Sequence, residues 1–142
     1  MKTYILDASV IVKWYASEKE SDLKKAEKLF FDLEQNKIIA KTSDLLIHEL
    51  TNALLKGKRF GQKEVTASLK TFFQTKVEIV PTSLFLVQYS IPIAIKYNLT
   101  AYDAIYVALA KNFECQLISA NPKCHGKIKD ESVVSLKNYL KK

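Results

Sequence analysis

Short apolar runs rich in β-branched residues alternate along this chain with longer stretches of helical periodicity, and no repeat or Pro/Gly-rich linker interrupts them. The strand-like runs are residues 3–6, 38–41, 77–80, 116–119 and a weaker 132–135. Between them lie helical stretches at 9–15, 22–35, 44–56, 62–73, 84–97 and 101–112. Ser43 and Thr100 are the expected N-caps, Gly57 and Gly61 bracket a helix-to-helix turn, and Pro92 is expected to kink or split the fifth helix. Strands separated by helices predict an α/β fold: a mainly parallel sheet of four to five strands with helices on both faces. Such sheets bind ligands beyond the C-terminal strand ends, where Asp7 follows the first strand and Asn121 the fourth.

The 142 residues, 48% of them hydrophobic, suffice for one sizeable core and are short for two, so a single domain over 1–142 is expected. No run of 18 apolar residues occurs and the N-terminus enters a strand directly, without signal-peptide features. A cytoplasmic protein without membrane contact is therefore expected. Cys115 and Cys124 read as free thiols, and with His125 they lack the paired Cys-x-x-Cys spacing of a zinc site. The net charge of +7 comes from 22 basic residues spread along the chain, of which only Arg59 is an arginine. Lysine meets phosphate as a point charge and lacks the bidentate base reading of arginine, so a polyanion partner would be held with weak sequence readout.

Three elements each carry one acid in an apolar setting. Asp103 projects between Val107 and Ala110 of an otherwise apolar helix, and Asp7 interrupts the run from Tyr4 to Val12. Glu49 lies between Leu45 and Ala53, off the polar stripe of His48, Asn52 and Lys56. An ionised carboxylate taken out of water costs several kcal/mol unless it is paired. Together the three acids point to one shared pocket that a divalent metal would neutralise. Singly, each has a plainer reading: Asp7 as a helix cap, Asp103 as the fourth member of a Thr100-x-x-Asp103 capping box, and Glu49 as a helix read in the wrong phase. His48 falls on a polar stripe and His125 in a loop, and both are expected to be solvated.

These residues resemble the PIN-domain nucleases, and in size and layout the toxin component of VapBC-type toxin–antitoxin pairs. The matching pieces are Tyr4-Ile5-Leu6-Asp7-Ala8-Ser9, Leu46-Ile47-His48-Glu49-Leu50, the stretch from Leu99 to Ala110, and Leu117-Ile118-Ser119-Ala120-Asn121. What the resemblance implies is a PIN-like fold and a metal-dependent endoribonuclease that uses Mg²⁺ or Mn²⁺ to hydrolyse single-stranded RNA. It carries Asp7, Glu49 and Asp103 over as catalytic metal ligands, with Ser9 and Ser119 supporting the site by hydrogen bonds. The family usually shows a fourth acid where this chain has Asn121, whose carbonyl oxygen keeps a metal donor but removes a charge. Asp130 or Glu131 are the nearby acids that would replace it.

Lys13, Lys56, Lys58, Arg59 and Lys123 are the candidates for guiding RNA phosphates. The resemblance also implies a homodimer formed through helices and a small antitoxin protein inserted into the active-site groove. Phe30, Phe31, Phe72, Phe73 and Phe85 are available for such contacts, with core packing expected for most of them. The competing account is a PIN-like RNA-binding or protein-interaction module weakened by Asn121. A phospho-aspartyl enzyme of the haloacid-dehalogenase type would need a second Asp where this chain has Ser9. A phosphorylation-receiver domain would need a phospho-acceptor after the third strand, where Val80-Pro81-Thr82 offers none.

Overall fold

A computed structural model describes residues 1–121 and 125–140. Successive side chains of β1 (Lys2–Leu6) point to opposite faces, so Tyr4 and Leu6 enter one core while Ile5 enters another. A central strand that is apolar on both sides needs cover on both sides. It is joined by β2 (Ile38–Ser43), β3 (Glu78–Val80), β4 (Gln116–Ser119) and β5 (Val133–Ser135) in the order β3-β2-β1-β4-β5, every pairing parallel. Tyr4 stands in register with Ala40 on one side and Gln116 on the other.

Among the described residues six α-helices supply the crossovers: α1 (Ala8–Ile11), α2 (Leu23–Glu34), α3 (Leu45–Asn52), α4 (Gln62–Phe73), α5 (Leu84–Tyr97) and α6 (Ala101–Asn112). One core gathers Val10 of α1, Leu29 of α2, Leu50 of α3 and Phe72 of α4 around Tyr4 and Leu6. The other gathers Leu86 and Ile93 of α5 and Val107 and Leu109 of α6 around Ile5 and Leu117. The expected parallel sheet with helices on both faces is the observed fold. Among the described residues no helix is long and apolar enough to cross a membrane.

Several local expectations are refined. Helix α1 tightens into a 3₁₀ turn over Val12–Trp14, and α3 loosens into a π-helical turn over Ala53–Gly57, so two predicted helices are each composite. Pro92 does not split α5, which runs unbroken from Leu84 to Tyr97. Gln88, whose carbonyl loses its donor to the proline ring, is exposed with Pro92 on the solvent side. The helix stops at Asn98 in the left-handed region, with φ 51°. Thr100 caps α6 as expected, whereas α3 starts from Asp44 and Ser43 instead accepts from the Leu45 amide at 3.1 Å.

Of the five phenylalanines assigned mainly to packing, Phe72 is in the core but Phe31, Phe73 and Phe85 are exposed. Neighbours on a helix lie 100° apart, so in the pairs 30–31 and 72–73 only one ring can face inward.

The strand order fixes where a ligand can sit. The chain steps from β1 outward through β2 to β3, then returns to lay β4 on the other flank of β1. The crevice that opens at such a reversal lies between the C-terminal ends of β1 and β4.

Candidate functional site

Asp7 is the first residue beyond β1, in that crevice, and is 4% exposed. It caps α1, its Oδ1 accepting from the Ser9 amide at 3.1 Å and the Ser9 hydroxyl at 2.5 Å. Oδ2 accepts from the hydroxyl of Ser119, the last residue of β4, at 2.8 Å. Ser9 Oγ in turn accepts from the Ala120 amide at 2.9 Å, which stitches the ends of β1 and β4 together.

Against this pair lies His125, 1% exposed. Its Nδ1 stands 3.0 Å from Asp7 Oδ2 and 2.9 Å from Ser119 Oγ. Its Nε2 donates to the backbone carbonyl of Asp103 at 3.0 Å, a group that can only accept. Burial alone would lower the basicity of the ring, but the hydrogen bond and charge of Asp7, with the Asp103 carbonyl and carboxylate, raise it above the ordinary histidine value.

Glu49 of α3 is half-buried and accepts a hydrogen bond from the Tyr106 hydroxyl of α6. Burial holds its carboxyl above the usual range; the bond from Tyr106 opposes this, and the charges of Asp7 and Asp103 reinforce it. Burial likewise pushes the Tyr106 hydroxyl well above the ordinary tyrosine value, helped by the neighbouring Glu49 charge. Asp103 is half-buried in the first turn of α6, where its Oδ2 accepts from the Thr100 hydroxyl at 3.1 Å. Asp7 is thus a helix cap as well as a buried acid, while Asp103 meets the Thr100 hydroxyl rather than the Thr100 amide that a capping box would use.

The structure thus brings Asp7 and Asp103 within electrostatic reach of Glu49 and fastens Ser9 and Ser119 to Asp7. His48 is exposed as expected, but the expectation that His125 is solvated is wrong. The loop after β4 turns back through a bond from the His125 amide to the Asn121 carbonyl at 3.1 Å and tucks the ring under α6. A single polar residue beside Gly126 has no periodicity to announce burial. Tyr106 was hidden differently, since its ring belongs to an apolar helix and its partner lies 57 residues away.

Asn121 is half-buried, and its amide donates to Ser119 Oγ at 3.2 Å. It lines a cavity of about 550 Å³ with Asp22, His125, Lys129 and Asn138, a wall that Asp7, Glu49 and Asp103 do not share. Asp130 is engaged by the Ser132 amide and by Lys111 at 3.2 Å, in the last turn of α6. At 1.5 Å per residue, that is roughly 12 Å along the helix from Asp103. Glu131 lies along the wall of another cavity, beside Cys115 and Met1.

Among the basic candidates, Lys13 reaches Glu20 at 2.9 Å and the Ser21 carbonyl at 2.8 Å, and Lys58 reaches the other oxygen of Glu20 at 2.6 Å. Lys56 and Arg59 are exposed. Lys123 and Cys124 lie outside the described residues, and Cys115 is a free, half-buried thiol.

Carboxylate oxygens from three elements are the donor type that hard divalent cations take. The charges of Asp7 and Asp103 already disfavour an ionised Glu49, and a cation would relieve that repulsion. The donor chemistry fits a metal, although among the described residues no three Asp, Glu, His or Cys side chains are drawn around one point.

The PIN domain model matches residues 4–128. No curated protein matches the chain in sequence. The fold is similar to that of PAE2754 from Pyrobaculum aerophilum, with a TM-score of 0.70 and 20% identity over 98% of this chain and 93% of that one. It is similar also to a toxin–antitoxin complex from Klebsiella pneumoniae, with a TM-score of 0.65 and 20% identity over 94% and 97%. The Mycobacterium tuberculosis toxin VapC20, which cleaves the sarcin-ricin loop, matches with a TM-score of 0.65 and 15% identity over 82% and 86%.

Proposed function

The chain belongs to the PIN domain family, and from that membership and its acidic pocket we propose that it is a metal-dependent endoribonuclease, the toxin of a VapBC-type toxin–antitoxin pair. The observation that carries the proposal is that the charges of Asp7, just beyond β1, and of Asp103 on α6 both reach Glu49 of α3, whose carboxyl burial already holds above its usual range. Asp7, Glu49 and Asp103 would hold Mg²⁺ or Mn²⁺, with Asn121 a further oxygen donor through its side-chain amide. When bound, the cation supplies activation of the attacking water and charge compensation at the scissile phosphate.

The protein groups do the rest by position. Ser9 and Ser119 fix the rotation of the Asp7 carboxylate, Thr100 braces Asp103, and Tyr106 directs Glu49. Exposed Lys56 and Arg59 would meet RNA phosphates, as point charge and fork respectively. Lys13 enters such a role only by leaving Glu20.

The similar Klebsiella pneumoniae structure is a toxin–antitoxin complex and VapC20 a toxin that cleaves the sarcin-ricin loop, which favours a small antitoxin partner and a cytoplasmic RNA substrate here. Helix α5 exposes Phe85, Ile91 and Ile95, the last at 77%, an apolar face suited to a homodimer. Incubation with unstructured RNA should give Mn²⁺-dependent cleavage by the wild type and none by Asp7→Asn. RNA binding without cleavage at saturating Mn²⁺ would replace the nuclease with a binding module.

A further inference from the structure

Asp7 offers about four lone-pair directions on its two carboxylate oxygens. Ser9 fills two of them through its amide and hydroxyl, and Ser119 fills a third. Those donors come from the first turn of α1 and the last residue of β4. His125 is different, because one ring touches Asp7 Oδ2 at 3.0 Å and the Asp103 carbonyl at 3.0 Å from the opposite nitrogen. A rigid imidazole therefore spans from the end of β1 to the first turn of α6, the two elements that carry Asp7 and Asp103. Its edge also meets the Tyr106 ring at 6.4 Å between centroids, on the side chain that holds Glu49.

We propose that His125 is a positioning residue that sets the divalent-metal affinity of the pocket by fixing Asp7 relative to α6. This rests on the metal-dependent reading above. Groups that hydrogen-bond a ligating carboxylate fix its orientation, and their loss typically costs about 10–100-fold in metal affinity. Ser119 alone would leave Oδ2 free to swing, since among the described residues its single hydroxyl hydrogen is the only other donor there. Among the described residues, His125 alone bonds to both the Asp7 carboxylate and the Asp103 backbone.

The two halves of the span can be separated, because an asparagine amide nitrogen falls near the place of Nδ1 and a glutamine amide nitrogen near that of Nε2. Calorimetric Mn²⁺ titrations of the full chain, wild type beside H125F, H125N and H125Q, make the test. H125F keeps a ring of similar shape without either bond and should bind Mn²⁺ about 10–100-fold more weakly. H125N should regain most of that affinity through its bond to Asp7, and H125Q should not.

Should H125F fail to fold, judged by circular dichroism, H125N and H125Q still decide, since each keeps one bond. Rescue by H125Q and not by H125N would overturn the link through Asp7. Wild-type affinity in H125F would overturn the inference while leaving the metal reading intact. A wild type that takes up no Mn²⁺ would overturn both.

Discussion

Asp103 is held by Thr100 on one side and, on the other, adds its charge to that of Asp7 at the buried Glu49 carboxyl. Replacing it with asparagine keeps the shape and an oxygen for the Thr100 hydroxyl while removing one charge from a crowded pocket. Asp103→Asn should therefore leave the fold intact, with a melting temperature equal to or slightly above that of the wild type. Cleavage should fall to about 1% or less, the loss expected when charge preorganised for a transition state is removed. An RNA cleavage time course beside a thermal melt checks both, and undiminished cleavage would take Asp103 out of the reaction. The three acids were legible because each interrupts an apolar pattern whose period is known. His125 and Tyr106 were not, because a polar atom in a loop or on a core ring declares its role only through a partner distant in sequence.

Among the elements, α2 and the C-terminal segment are joined by a buried carboxylate. Asp32 accepts from the Tyr139 hydroxyl at 2.6 Å and from Lys28 at 2.6 Å, while Lys25 donates to the Tyr139 carbonyl at 2.6 Å. Burial alone would raise the Asp32 carboxyl; the bonds from Lys28 and Tyr139, with the charges of Lys28 and Lys37, outweigh it and hold the group below its ordinary value. A depressed folded-state value stabilises the protein above the unfolded value and loses that contribution as pH falls through the folded one. The wild type should thus melt above Asp32→Asn at pH 7, and the gap should close as the pH drops from the ordinary aspartate value of about 4 through the lower value of the folded state. A gap that stays constant over that range would show that ionised Asp32 does not anchor the segment. Helix and strand positions at this scale followed from periodicity. The π-helical turn at Ala53–Gly57 did not, because its bond from the Lys58 amide to the Ala53 carbonyl, five residues back, depends on the packing of the turn.

For the molecule as a whole, the net charge of +7 points to a polyanion partner but does not say which cations are free to meet one. The Glu20 carboxylate ties Lys13 and Lys58 together, with the three side chains between 5% and 16% exposed. These pairs span 7 and 38 residues, so no local charge pattern revealed them. Lys56 and Arg59, only three residues apart, remain exposed. Counterion release makes the logarithm of single-strand affinity fall with the logarithm of salt by about 0.7 for each phosphate contact. Measured on a catalytically silent Asp7→Asn background, RNA affinity should weaken steeply with salt. Adding Lys56→Ala and Arg59→Ala together should make the slope shallower by about 1.4, two contacts at about 0.7 each. Adding Lys13→Ala should leave the slope unchanged, since that ammonium is already neutralised inside the fold. The opposite ranking, with Lys13 setting the slope and the exposed pair silent, would mean that RNA displaces Glu20, and the path of the strand would then run over the 3₁₀ turn after α1 instead of the turn after α3.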